Sequence, residues 1–411
     1  MSWKKEELIK KATDAQNTPA KLGEDIDISR FKQEAALLPQ VASVSQLSND
    51  IVENAKSVGI NPNENNRSGT YFQLDHSVVL ACQKKEMEGV EVLSTTQALS
   101  QYDWLKDYYW KAAAVDADKY TAMSELHQNA GYFIHAKPGA RLTMPIQACL
   151  FIGTEGLVQS VHNIIIAEEG SELHVIAGCT THPGISSGMH IGVSEFYIKK
   201  GATVTFTMIH GWAEDVEVRP RTVAIVEEGG TFISNYICFK PVRSIQMYPT
   251  AYCVGKDARV RFHSLIYGSK NSIIDTGSRV FLQAEGSRAE MTARVIAADS
   301  SKIISRGHVI GEVTETKGHL ECRGLLLSNT ASIHAIPEIE GKAEGCDLSH
   351  EAAVGRIQQA QLCYLMSRGL NEDEATALIV RGFLDPEIPG LPEHLKYEIK
   401  RTIEMTSEKV M

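Results

Sequence analysis

The sequence predicts a mainly β fold: a stack of short strands in the middle of the chain, with helical regions on either side. Three observations lead there. From about residue 131 the apolar residues alternate with period two, as in a strand that buries one face. One phrase then returns: an apolar strand, a polar turn containing glycine, and a second alternating strand. It occupies residues 164–176, 196–206, 223–233, 251–262 and 280–295, and its glycines (Gly170, Gly201, Gly229, Gly255, Gly286) are spaced 31, 28, 26 and 31 residues apart. Outside this region the pattern becomes helical. A unit repeated at such a period buries its face only by stacking on its neighbours, which is the logic of a β-solenoid. Glycine suits the turn because it takes positive φ without a Cβ clash. A β-sandwich also supplies many short strands, but from varied hairpins rather than one recurring phrase.

The elements follow in order. Residues 1–130 read as a mainly helical region, with a polar helix over 4–16 and another over 47–58 closed by Gly59. The stretch 60–69, with Pro62 and four asparagines, is turn-rich. A third helix is expected over 101–114, and its Trp104, Tyr108, Tyr109 and Trp110 read as a docking face rather than a base- or flavin-stacking platform. Residues 131–347 form the β-core. Residues 348–411 form a C-terminal helical domain, with an amphipathic helix over 351–368 that carries Val354, Ile357, Gln361 and Leu365 on one face and stops at Gly369. Asn371 with Glu374 is a capping pair that starts a helix to about 382. Pro386, Pro389 and Pro392 then connect stiffly to a last helix over 393–407.

Composition narrows the function. The 411 residues carry a formal charge of −10 and no Lys/Arg block, which argues against nucleic acid as a partner. No apolar run is long enough to span a bilayer, and the charged start Met1-Ser2-Trp3-Lys4-Lys5 lacks the apolar core of a signal peptide. A cytoplasmic protein without a membrane partner is expected. The eight cysteines contain no Cys-x-x-Cys, against a zinc ribbon or ferredoxin-type loop, and are expected to be thiols. No Gly-x-x-x-x-Gly-Lys-Ser/Thr segment is present, so ATP dependence would have to come from a partner.

The chemistry concentrates near the C-terminal end of the core. Glu321-Cys322-Arg323 precedes an apolar strand, and Ser349-His350-Glu351 follows, read as the mouth of a helix. Thiolate, imidazole and carboxylate together are ligand types that iron and iron–sulfur centres accept. The alternative is a small buried Cys322 and a helix-terminal His350. Arg323 would favour the Cys322 thiolate, and Glu321 would oppose it. A second group, His174, Cys179, His182 and His190, resembles a metal site in composition. His174 and Cys179 are five apart, however, so a continuous strand puts them on opposite faces. Cys82, Cys149, Cys238, Cys253 and Cys363 sit in apolar runs and read as packing residues, while Cys346, four before His350, stays a candidate.

Several segments together resemble the SufB/SufD family of the SUF iron–sulfur cluster assembly machinery. Ile176-Ala177-Gly178-Cys179-Thr180 is similar to that family's Glu-Gly-Cys-Thr-Ala-Pro segment, with His190 at a matching interval of eleven residues. Pro145-Ile146-Gln147-Ala148 and Asp275-Thr276-Gly277-Ser278 resemble core segments, and Cys322 with His350-Glu351-Ala352 reproduces an interval of 28. Tyr364, Arg368-Gly369 and Arg381-Gly382-Phe383 resemble the closing helices. Ser349 departs from the pattern where SufB often has Glu, and so do Phe151 and Gly153 at the core entrance.

The resemblance implies a right-handed parallel β-helix flanked by N- and C-terminal helical domains, and a SufB-like chain of the compact kind found in minimal two-gene systems. It implies a scaffold rather than an enzyme. Cys179 would accept persulfide sulfur from a cysteine desulfurase or other donor, and sulfur would move through the core to Cys322 by thiol–persulfide exchange. Cys322 and Glu351, with His350, would hold a transient [2Fe-2S] or [4Fe-4S] cluster for transfer to apo-proteins. His190 and Cys346 are lesser metal candidates. The implied partners are a SufC-type ABC ATPase on the C-terminal helices and a second SufB/D-type subunit, as homodimer or heterodimer. The family's complexes can carry flavin, but no Gly-x-Gly-x-x-Gly segment supports one here. Two alternatives stand beside this reading: a SufD-like structural partner without its own cluster, and a β-helix carbohydrate-active enzyme.

Overall fold

The structure, a computed structural model, describes residues 5–84 and 89–384. Helices α1 (Lys5–Ala15) and α2 (Asn49–Lys56) lead into β1 (Gly69–Leu74), β2 (Ser77–Gln83) and β3 (Val90–Ser94), followed by α3 (Thr95–Gln101) and α4 (Lys119–Leu126). Next come β4 (Tyr132–Ala136), β5 (Ile146–Ile152), β6 (Leu157–Ala167), β7 (Glu172–Thr181), β8 (Ser187–Ile198), β9 (Thr203–Gly211), β10 (Asp215–Val218), β11 (Arg221–Val226) and β12 (Thr231–Cys238). The run continues through β13 (Ser244–Met247), β14 (Thr250–Cys253), β15 (Arg259–Gly268), β16 (Ile273–Leu282), β17 (Arg288–Ala297), β18 (Lys302–Gly311), β19 (Lys317–Leu326), β20 (Ser332–Gly341) and β21 (Asp347–Arg356). Helices α5 (Gln359–Met366) and α6 (Glu372–Leu384) come last.

The strands wind into a β-solenoid of about eight turns. Each coil gives one strand to each of two sheets. One sheet runs β2-β1-β5-β7-β9-β12-β15-β17-β19-β21; the other runs from β3 and β4 through β6, β8 and β16 to β18 and β20. Pairing is parallel except for β1–β2 and β3–β4. Stacked coils lie about 4.8 Å apart, the spacing of hydrogen-bonded strands. A single apolar core runs between the sheets, from Tyr71 and Ile146 through Phe196, Phe232 and Phe262 to Met291 and Leu320. In two coils the second sheet's strand is broken in half, at Pro220 and Pro249, where proline lacks the N–H that a continuous ladder needs.

The turn repeat is more regular than the glycines alone imply. Positive-φ corner residues are Gly170, Gly201, Gly229, Asp257, Gly286, Glu315 and Gly345, never more than 31 or fewer than 28 residues apart. Asp257, at φ 57°, takes the corner assigned to Gly255 in the sequence. Gly255 has a different duty: a Cβ there would lie 1.9 Å from the Glu228 backbone nitrogen of the neighbouring coil.

Two helices differ from expectation. The aromatic segment 101–114 is not a helix; after α3 it makes a short 3-10 turn, Asp103–Asp107, and an irregular loop. The buried Glu195 carboxylate accepts the backbone N–H groups of Trp110, Ala112 and Ala113 at 2.8, 2.7 and 2.9 Å, donors that a continuing helix would spend on its own carbonyls. The docking role is as expected: Tyr109 and Trp110 pack on His162, with ring centroids 4.7 and 4.3 Å away. The second difference is at 351–368, where strand β21 runs to Arg356 and the helix starts only at Gln359. Helix propensity in Glu351-Ala352-Ala353 is overridden by the ladder to β19. The Asn371/Glu374 capping pair is present, each backbone N–H donating to the other's side chain at 2.8 Å. Pro386, Pro389, Pro392 and the helix expected over 393–407 lie outside the described residues.

Candidate functional site

Strand register decides what the predicted residues can share. In the β19–β21 pair, Leu320 lies opposite His350, Glu321 opposite Glu351 and Cys322 opposite Ala352. Successive side chains alternate in face. Leu320 belongs to the central core, so Cys322 and His350 project inward, and Glu321, Arg323 and Glu351 belong to the outer face. Arg323 is therefore turned away from the Cys322 thiol. Its guanidinium lies 2.5 Å from Glu321 and 3.9 Å from Glu351, linking the carboxylates of adjacent coils. The expected stabilisation of a Cys322 thiolate by Arg323 does not occur. Burial, as the main cause, raises the Cys322 pKa, the nearby Glu321 charge raises it further, and a hydrogen bond with Ser305 opposes both.

Cys322 is half-buried, and its Sγ lies 3.3 Å from the Ser305 hydroxyl of the facing sheet. Beside it is a cavity of about 30 Å3, bordered by Ser264, Ser278, Met291, Ser305 and Glu351 among others. That space suits about one water molecule. Cys322 and Glu351 thus both border this cavity, although the register puts their side chains on opposite faces of the sheet and the Glu351 carboxylate is exposed beside Arg323. His350, on the terminal strand, is exposed and is not part of the cavity lining. Among the described residues no group of three or more His, Cys, Asp or Glu side chains is arranged to hold a metal ion. Strands β20 and β21 end their sheets, and most of their residues are exposed.

Cys179 lies deep in the core, 1% exposed, and burial drives its pKa far above that of a free thiol. The alternation argument for its surroundings holds: His174 faces outward beside Glu172, 3.3 Å away, and His182 sits in a loop 4.0 Å from Asp50. His190 is buried, stacks on Trp212 at 4.9 Å and meets Gln159 at 3.1 Å; burial lowers its pKa to about 3, so it is neutral. Cys346 occupies a corner, its Sγ 3.4 Å from the Val313 carbonyl, and does not border the Cys322 cavity. Cys149, Cys238 and Cys253 are buried, but Cys363 is exposed on α5, contrary to its packing assignment.

One residue missed in the sequence, His210, and one read there as packing, Cys238, complete the interior picture. Cys179, His210 and Cys238 occupy one inward column on consecutive coils. In the adjacent inward column, Tyr236, Ser264, Ala293 and Cys322 follow one another. Tyr236 touches both columns, since its hydroxyl lies 3.0 Å from His210 Nδ1. His210 Nε2 and Trp212 Nε1 are buried without hydrogen-bond partners among the described residues. The signal was the repeat itself: residues one period apart fall into register, so His210 and Cys238 follow Cys179 at 31 and 59 residues.

Comparison with known proteins places the chain among its relatives. Residues 150–383 match the family model for the SufBD core domain of SUF system FeS cluster assembly. A protein of Methanothermobacter thermautotrophicus described as an iron–sulfur cluster assembly SufBD family protein is 51% identical over 405 residues, covering 97% of this chain and 98% of its own. One from Archaeoglobus fulgidus with the same description is 52% identical, covering 87% and 96%. A Pyrococcus horikoshii member is 34% identical over 379 residues, covering 91% and 85%.

Proposed function

The chain belongs to the SufBD family of iron–sulfur cluster assembly proteins, and from that premise we propose that it is the scaffold on which a nascent cluster is built, with Cys322 as its thiolate ligand. The observation that carries the reading is the placement of Cys322 and Glu351 on the border of one small cavity at the β20–β21 end of the solenoid. The cluster is cargo here. Cys322 offers sulfur, Glu351 oxygen and His350 nitrogen, a mixed set that holds iron less tightly than four thiolates and so favours release.

A cavity of about 30 Å3 does not hold a cluster, so the cargo must sit at the edge of the last coil, where β20 and β21 have no outer neighbour among the described residues. A second copy of the chain, or a related subunit, covering these strands would supply the missing ligands and pair their open backbone edges. Sulfur reaches Cys322 through the interior. Cys179 and Cys238 are the upstream thiols, and Ser264 and Ala293 leave the inward column beside Cys322 narrow-walled and small. Because Cys179 is buried as a neutral thiol, its acceptance of persulfide requires the first coils to open.

A SufC-type ATPase fits the C-terminal helices, where Tyr364, Met366 and Leu378 are exposed. Anaerobic titration of iron and sulfide, followed by visible absorbance, tests the scaffold reading. Wild-type protein should develop charge-transfer bands and Cys322→Ser should not; equal bands in both would remove Cys322 from the role. Failure of both to develop bands, alone and with the ATPase, would favour a structural subunit without its own cluster.

A further inference from the structure

Charges along the solenoid mostly alternate from coil to coil. Lys199 meets Glu227 at 2.9 Å, Lys200 meets Glu228 at 3.0 Å, Lys256 meets Glu285 at 3.2 Å, and Lys342 meets Glu312 at 3.3 Å. One outer column breaks this rule. Arg259 on β15, Arg288 on β17 and Lys317 on β19 lie directly in register. Like charges directly opposite on neighbouring strands are destabilising. Lys317 is relieved by Asp347 at 3.3 Å in the next coil, but Arg259 and Arg288 have no ion pair among the described residues, and both are exposed. The neighbouring column, Arg261, Glu290, His319 and Ser349, is balanced, with Arg261 3.3 Å from Glu290 and His319 2.9 Å from Ser349.

These two columns floor a trough of about 490 Å3 whose lining comes entirely from β15, β17, β19 and β21. We propose that this trough docks an extended acidic segment of a partner protein, with Arg259 and Arg288 as its anchoring cations. Four observations fit that occupant. The floor crosses four strands, about 14 Å, which is a length for a linear ligand. It has a floor from one sheet only, whereas small-molecule pockets enclose most of the ligand's surface. Four cations face only two carboxylates, so the trough is positive on a chain whose formal charge is −10. Those two carboxylates, Glu290 and Asp347, repel a densely charged polyanion but tolerate a peptide whose acids are spaced along one edge. In an extended peptide alternate side chains repeat at about 6.8 Å, within reach of arginines on adjacent coils. Arginine also forks onto carboxylates bidentately, which suits this partner.

The trough lies on the outer face that carries Glu321 and Glu351, two residues along the strands from His319 and Ser349. An occupant would lie alongside the proposed cluster site, but the inference does not depend on that site. Fluorescence anisotropy of a fluorescein-labelled alternating Glu-Ala peptide of about ten residues, a length that spans the trough, with the full chain tests it. Saturable binding should weaken about tenfold in Arg259→Glu/Arg288→Glu, the sum of two exposed charge pairs lost and reversed. It should persist in Arg259→Lys/Arg288→Lys, weaken with added salt in the wild type, and be unchanged in Cys322→Ser. The inference is overturned if the peptide does not bind, if charge reversal leaves binding unchanged, or if tripolyphosphate or single-stranded RNA displaces it and binds more tightly.

Discussion

Replacing Ala293 by leucine probes the interior route without touching a thiol. Ala293 lies in register between Ser264 and Cys322, bordering a cavity of about 30 Å3. That volume holds about one water, so three added carbons overfill it. Overpacking a core costs about 1–3 kcal/mol, small beside the stability of a solenoid this size, and the variant should fold with a melting point a few degrees lower. A cost of the same size met by sulfur passing the new side chain slows transfer about tenfold or more. The assay is cluster formation in Ala293→Leu from two sulfur sources. With a persulfide donor loading the upstream thiols, the initial rate should fall about tenfold or more. With free sulfide reaching Cys322 from the open end, it should change little. Equal loss with both sources, or with neither, would refute an interior route.

Three further outcomes follow from the packing. Glu195→Ala orphans the Trp110 and Ala113 backbone N–H groups and His162 Nε2, 2.8 Å away, leaves the Ala112 N–H only its 3.0 Å bond to the Tyr197 hydroxyl, and should cost on the order of 4 kcal/mol; urea unfolding and proteolysis within 101–115 read it, and wild-type behaviour would contradict the anchor. Burial lowers the pKa of His190 to about 3 and that of His263 to about 4, whereas both titrate near 6.5 when unfolded. The unfolded chain then binds more protons, so their stabilisation is complete above pH 6.5 and is lost as the pH falls toward 4; a melting temperature flat across that window would contradict it. In native protein, iodoacetamide should label Cys363 first and Cys322 more slowly. Cys149, Cys179, Cys238 and Cys253 should react only on unfolding, as mass spectrometry would show; native labelling of Cys179 at the rate of Cys363 would mean that the first coils are already open.

The solenoid was legible because its physics is periodic. Alternation and a recurring positive-φ corner are written into residues 164–295, and even the misassigned corner at Gly255 lay within the right turn. The two helical expectations that failed did so for tertiary reasons. Segment 101–114 has helix-compatible composition, but its N–H groups are claimed by Glu195, more than eighty residues away in the chain. Residues 351–356 form a strand because β19 offers an edge to pair with. At the site, identity was legible and orientation was not. Cys322, His350 and Glu351 were picked out by chemistry, but once 350–351 is read as a helix mouth, nothing indicates that His350 and Glu351 alternate between faces. The same error gave Arg323 to Cys322 rather than to Glu321. Register across coils brings His210 and Cys238 into line with Cys179, and it becomes readable only after the repeat is correctly phased.

The most direct test of the central claim is Mössbauer spectroscopy on anaerobically reconstituted protein, alone and with the ATPase, comparing wild type with Cys322→Ser and Glu351→Gln. Cluster iron should be present in wild type, absent in Cys322→Ser, and present with altered isomer shift or reduced yield in Glu351→Gln. The same cluster signal at the same yield in all three would mean that the end of the solenoid around Cys322 is not where the cluster is built.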